Sequence, residues 1–130
     1  MKYESFTDLR LYKKCRKLKI AIAEMMNTRF PKEETYSLKS QLRNSSRSIT
    51  ANIAEGHGRY YYQDNIRFCR IARGSLDESL DHLITAYDEK YINESELKNF
   101  KILHEECLRL LNGYIKYLRN SKKGKADNSI

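Results

Sequence analysis

Three histidines pose the first chemical question, because imidazole is the side chain best suited to acid–base work near neutral pH. Some helical nucleases place an arginine roughly four to six residues before a histidine, a spacing to be tested residue by residue. No arginine stands at that distance before His57, His82 or His104. A di-iron bundle needs Glu-x-x-His twice, yet Ser79 and Lys101 occupy the positions three residues before His82 and His104. Glu78 and His82 share a helical face at i, i+4, which reads as a surface contact. His104 falls alone on an apolar stripe, where a hydrogen-bonded core histidine is the default. Gly56-x-Gly58 has neither the preceding strand nor the following Lys-Ser/Thr of a phosphate loop. Cys15, Cys69 and Cys107 are an odd number with no CxxC pair, which argues against a disulfide framework and a zinc site and for reduced core residues. These residues point to a non-enzymatic protein with no cofactor and no metal.

Cations are the other chemistry on offer. The 130 residues include 25 Lys and Arg against 17 Asp and Glu, a formal charge of +8. Residues 1–30 contribute +5, 31–60 contribute +2, 61–90 contribute −2 and 91–130 contribute +3. Projection at 100° per residue turns Arg10, Lys13, Arg16 and Lys17 away from the apolar stripe of the first helix. Arg43 and Arg47 stand one turn apart among the small residues Ser40, Ala51 and Ala54 of the second. Guanidinium forks suit phosphate or carboxylate, and small neighbours admit another backbone, so nucleic-acid and subunit contacts are both open against a merely solvated surface. Arg59, followed by Tyr60-Tyr61-Tyr62, could clamp a phosphate beside stacked bases, although such tyrosines more often staple helix ends or join subunits.

The elements that must position these residues are helices. One proline, five glycines and no valine occur in the chain, a composition that favours long helices over turn-rich β structure. Leu11, Cys15, Leu18, Ile22 and Met25 give a helix over about 6–28, closed by Phe30-Pro31. Leu38, Leu42, Ser45, Ile49 and Ile53 give a second over about 32–55, with Gly56 and Gly58 as its stop. Cys69, Ala72, Leu76, Leu80, Leu83 and Tyr87 predict a third over about 62–89. Leu97, Phe100, His104, Cys107, Leu111, Ile115 and Leu118 predict a fourth over about 94–119. Four helices of matched length, roughly 35–40 Å each, make an all-α, antiparallel up-down-up-down four-helix bundle over 1–119, with 120–130 as a disordered basic tail. No run is long and apolar enough to span a membrane and no signal-peptide core opens the chain, so a cytoplasmic location is expected. Leu9 and Ile20, with Leu103, Leu110, Tyr114 and Tyr117, form apolar strips outside the main stripes, which predicts a homo-oligomer.

The order of four motifs is distinctive. Phe30-Pro31-Lys32-Glu33-Glu34 is followed by Leu38-x-x-Gln41-Leu42-Arg43, then Ser48-Ile49-x-Ala51-Asn52-Ile53-Ala54-Glu55-Gly56-x-Gly58-Arg59, then Phe68-x-x-Ile71-Ala72-Arg73-Gly74-Ser75-Leu76-x-Glu78. Over about residues 3–118 the chain resembles the bacterial four helix bundle proteins, also called 23S rRNA intervening-sequence proteins. The resemblance implies a ring-like homopentamer without catalytic activity. It also implies a more distant likeness to the accessory variability protein of diversity-generating retroelements, a basic pentameric bundle that binds a reverse transcriptase and nucleic acid. Asn44-Ser45-Ser46 departs from the family pattern, which has an Arg/Ala-rich step there, and Tyr60-Tyr61-Tyr62 replaces a more polar loop.

Read physically, Asn52 and Arg73 sit at the edges of the second and third helices, where their polar heads need partners. Glu55 and Glu78 are the nearest candidates, making a structural polar network between these helices. Gly74 costs about 1 kcal/mol relative to alanine in a helix and is expected where a neighbouring helix passes closely. The functional expectation is a homo-oligomeric scaffold binding nucleic acid, RNA favoured, through Arg10, Lys13, Arg16, Lys17, Arg43, Arg47 and Arg59. Its competitor is a protein-interaction adaptor, for example for a reverse transcriptase or another mobile-element enzyme.

Overall fold

The apolar periodicity becomes four helices in the computed structural model, which describes residues 5–121. They are α1 (Arg10–Arg29), α2 (Leu38–His57), α3 (Tyr62–Asp88) and α4 (Glu94–Asn120), with 3-10 turns at Phe6–Asp8 and Lys32–Glu34. Consecutive helices pack on each other and α4 closes against α1, which makes the antiparallel four-helix bundle. No strand occurs among the described residues. The expected tail lies outside them from residue 122 onward, while Asn120 is still helical.

Two helices begin later than their apolar pattern suggests, for reasons of capping. The Ser5 hydroxyl accepts from the Thr7 amide and the Asp8 carboxylate accepts from the Ser5 amide, closing a separate turn. Leu9 is then extended, and α1 starts at Arg10. After Pro31 a 3-10 turn intervenes, and Glu34 reaches forward to accept from the Leu38 amide at 3.2 Å. That carboxylate satisfies one of the orphan donors at the head of α2. As a result α1 and α2 have 20 residues each and α3 and α4 have 27. At 1.5 Å per residue these are about 30 Å and 40 Å, so the helices come as a short pair and a long pair and are not of matched length.

Apolar residues fill the centre: Leu18, Ile22, Leu42, Ile49, Ile53, Leu76, Leu83 and Leu111 are almost inaccessible. Cys15, Cys69 and Cys107 lie among them as free, buried thiols. A hydrogen bond with Cys107 and burial push the Cys15 thiol up, and burial raises Cys69 to about 12. Thiols held protonated are poor nucleophiles and poor metal ligands, so these act as small core residues. Of the apolar strips expected to face outward, Leu9, Leu103, Leu110 and Tyr114 pack against this core. Ile20 and Tyr117 do remain exposed, with Ile71 and Ile102.

The contact between α2 and α3 is built on small and hydroxylic side chains. Ser45 and Ser79 hydroxyls meet at 2.8 Å in a buried pair, and those of Ser48 and Ser75 meet at 2.8 Å. Gly56 is buried inside α2, and a Cβ there would stand 2.6 Å from Asn65 Oδ1 and 3.0 Å from Phe68 Cβ. Gly56 is therefore a close-approach glycine and not the helix stop. Gly58 ends α2 with φ −77°, so no left-handed turn is used. Gly74 is exposed and has nothing near its missing Cβ, which corrects the expectation that a neighbouring helix passes closely there. Gly56→Ala should lower unfolding free energy by about 1–2 kcal/mol, overpacking outweighing helix propensity. Gly74→Ala should raise it by about 0.5–1 kcal/mol. Urea denaturation of both variants checks the opposite signs.

The bundle end that holds both the α1–α2 and α3–α4 corners is tied by Glu34. Its carboxylate accepts from Ser37 Oγ at 2.6 Å and from the Tyr91 hydroxyl at 2.6 Å. The Tyr91 ring leans on Phe30, with centroids 5.3 Å apart. Nearby, Arg29 pairs with Glu96, which also closes the Asn93 capping box of α4. Hydrogen bonds from Ser37, Tyr91 and Leu38 hold Glu34 below the ordinary 4.5, and the bond to Glu34 pushes Tyr91 up to about 12. A carboxyl lowered in the fold contributes stability above its unfolded value and loses it as pH falls through the folded one. The raised Tyr91 works the other way: its contribution is present below 10.0 and is lost as pH rises through about 12. Tyr91→Phe should lower the melting temperature at pH 7, and the difference from wild type should shrink on acidification below 4.5. Thermal scans across pH read this directly.

Candidate nucleic-acid interface

Helix packing sorts the basic residues into different surroundings. On α1, Lys14 is bonded to Glu106 of α4 at 3.3 Å. Arg10 lines the α1–α4 groove beside Arg109, and helical spacing puts Lys17 on the same flank. Lys13 and Arg16 are exposed. Arg16, however, is three residues before Lys19 and seven before Ala23, which face α2. The basic residues expected to form one face of the first helix are thus divided between its two flanks.

The α2 flank is the more concentrated. Lys19 from α1 and Lys39, Arg43 and Arg47 from α2 line one cleft of about 220 Å3, together with Asn27 and Ser46. Among the described residues no carboxylate lines it. Lys39, Arg43 and Arg47 follow one another at i, i+4 and i+8, a cation on every turn of one face. None of the four makes an ion pair among the described residues. Like charges at this spacing repel by about 0.2–0.5 kcal/mol per pair, a cost that an anion seated in the cleft would relieve. Lys39 and Lys19 were not among the residues expected here. Stepping back one turn from Arg43 finds Lys39 in the sequence, whereas Lys19 joins only through the packing of α1 on α2.

Arg59 has other partners. It pairs with Glu55 at 2.8 Å and lies over the Phe68 ring at 4.8 Å. Both contacts fasten the α2–α3 corner and occupy the guanidinium expected to clamp phosphate. Tyr60 and Tyr61 meet edge to face at 4.8 Å, and Tyr60 stays exposed. The four polar motif residues are likewise not joined to one another. Asn52 donates to the Ser48 carbonyl and hydroxyl at 2.8 and 2.9 Å, and Ser48 meets Ser75. Arg73 donates to Asn112 of α4 at 2.8 Å. Glu78 meets His82 at 3.2 Å. The link between α2 and α3 therefore runs through serines, with Asn52 at its end. Glu55 and Glu78 serve their own helices, and Arg73 ties α3 to α4. Buried His104 bonds Asp77 at 2.9 Å across α3 and α4, the satisfied core histidine that its place on the stripe predicts.

Among the described residues no group of three or more His, Cys, Asp or Glu side chains is placed to hold a metal ion. No helix among them is long and apolar enough to cross a membrane.

This bundle, with its Gly56 contact and its cations on α1 and α2, falls almost wholly within residues 7–113, which match the family model described as 23S rRNA-intervening sequence protein. The chain belongs to that family. Within the intervening-sequence fold, a crystal structure of a protein of unknown function from the S23 ribosomal protein family of Bacteroides thetaiotaomicron is similar, with a TM-score of 0.74 at 22% identity. The similarity covers 82% of this chain and 98% of that one, and at this identity it speaks for the fold alone. No curated protein matches.

The unpaired ladder has a measurable consequence in this intervening-sequence protein. Arg43→Gln removes repulsion toward both Lys39 and Arg47 and should raise stability by about 0.5 kcal/mol at low ionic strength. The gain should fade at high salt, where exposed charges are screened. Urea unfolding at two salt concentrations tests it, and a loss of stability at low salt would contradict the ladder's self-repulsion.

Proposed function

We propose that this protein is a non-enzymatic, homo-oligomeric scaffold, a pentamer, that binds nucleic acid in the cytoplasm and prefers RNA to DNA. The observation that carries this reading is the cleft in which Lys19, Lys39, Arg43 and Arg47 converge with neither a carboxylate lining it nor an ion pair among the described residues. Membership of a family named for sequences intervening in 23S rRNA supports RNA as the ligand. Five copies in a ring present five such clefts to one polyanion, so a modest attraction per subunit multiplies through effective concentration. Arg10, Lys13, Arg16 and Lys17 extend the positive surface around α1 and guide the approach of the strand.

The second reading is an adaptor for a reverse transcriptase or other mobile-element enzyme. It is favoured by Ile71, Ile102 and Tyr117, exposed on α3 and α4 and remote in sequence from the cleft residues. Fluorescence anisotropy with labelled structured RNA and duplex DNA, with mass by light scattering, separates the two. Neutralising four phosphates should weaken RNA binding on the order of a hundredfold between about 50 and 200 mM salt. Changing Arg43 and Arg47 together to Gln should flatten the salt slope by about two. Absence of RNA binding at low salt, with salt-insensitive capture of a protein partner, would replace the scaffold by the adaptor.

A further inference from the structure

The basic cleft does not end on solvent. It continues along the α1–α2 seam into a second groove of about 550 Å3, and Lys19, Ala23 and Arg47 line both. This second groove is largely apolar: Tyr12 and Ile20 form its α1 wall, and Ala51 and Ala54 form its α2 floor. Ala51 is exposed, and Ile20 is 39% accessible although its side chain is fully apolar. An edge-to-face contact with Phe6, at 4.8 Å and 79°, holds the Tyr12 ring in place. Small residues on one wall and a fixed aromatic on the other leave a shallow slot, and its volume is in the range of ligand-holding clefts, roughly 300–1,000 Å3.

Resting on the nucleic-acid reading, we infer that the α1–α2 seam is a composite site for a single-stranded segment: phosphates follow the cations and an unstacked base lies in the apolar groove. Charge complementarity selects this occupant. A cation on each turn, about every 5.4 Å, makes a row that a repeating chain of anions can follow, as a phosphodiester backbone does. Beside that row, the shared residues Lys19 and Arg47 leave an apolar slot directly next to an anion position. A nucleotide carries an apolar planar face within one sugar of its phosphate. In a duplex that face is stacked and inaccessible, so a site that uses it discriminates for unpaired strands.

The test compares a labelled unstructured RNA oligonucleotide, the same strand annealed to its complement, and an abasic strand of equal charge, all against the full-length protein. Wild type should bind the unstructured strand at least about tenfold more tightly than the abasic one, the increment that one base contact supplies. Ala51→Leu with Ala54→Leu fills the groove. It should remove this preference while leaving affinity for duplex and abasic strands unchanged. Ala51→Leu alone, at an exposed helical position, serves as the second variant should the double change lower the melting temperature. Equal binding of abasic and base-bearing strands by wild type, or an undiminished preference in the filled variants, overturns the composite site while leaving the cationic cleft standing. A changed oligomer mass in the filled variants overturns it by assigning the groove to a subunit contact. Failure of wild type to bind any of the three strands at low salt removes the nucleic-acid reading itself, and the composite site with it.

Discussion

A missing side chain sets the geometry. Gly56 lets α2 lie against the start of α3 where a methyl group would collide with Asn65 and Phe68. From there the seam continues through serine pairs, whose hydroxyls are small enough to maintain the approach and satisfy each other at depth. A buried hydroxyl without a partner costs about 1–3 kcal/mol. The pairs therefore specify register as well as distance, since a slip along the axis would separate both at once. Because α2 spends its small polar face on α3, the Lys39, Arg43 and Arg47 edge is left on the other side, against α1. The cationic cleft is in this sense a by-product of how α2 and α3 fit.

The same division explains the lack of reactive groups in the interior. Buried His104 is hydrogen-bonded to Asp77, and the Cys15 and Cys69 thiols are pushed up and kept protonated. What remains for chemistry lies on the surface and is overwhelmingly charge. Glu34 is the exception that holds architecture: by capping α2 and accepting from Tyr91 it ties two chain-distant corners at one end of the bundle.

The fold was largely legible in the sequence. The apolar stripes of α1, α2 and α4, read from spacing alone, correspond to side chains that are buried. On α3, by contrast, Leu80 is only half-buried and Tyr87 is exposed, and Ser79 and Ala86 take the inward places beside Leu83. The errors fall where non-periodic interactions decide. Helix starts shifted because Ser5, Asp8 and Glu34 cap turns that periodicity cannot see. Gly56 took the close-approach role expected of Gly74, which sits exposed within α3, because the room around a glycine belongs to the neighbouring helix and not to its own. Arg43 and Arg47 were readable as an outward pair, but Lys19 was not, since its place beside them depends on the rotation of α1. Arg59 looked free in the sequence and is held by Glu55 and Phe68 once the corner folds. Nothing in one helix's pattern reveals Asn112 as the partner of Arg73, 39 residues away.

All three cysteines of the chain are enclosed in the bundle, supplied by α1, α3 and α4. A thiol reagent in solution can reach none of them until helices separate. The rate at which the native protein consumes such a reagent is therefore a clock for opening of the core, supplied by the natural sequence and needing no engineered probe. It also leaves the surface without a thiol, so that one cysteine introduced at the α1–α2 seam would be the single site to accept a thiol-directed label while the bundle stays closed.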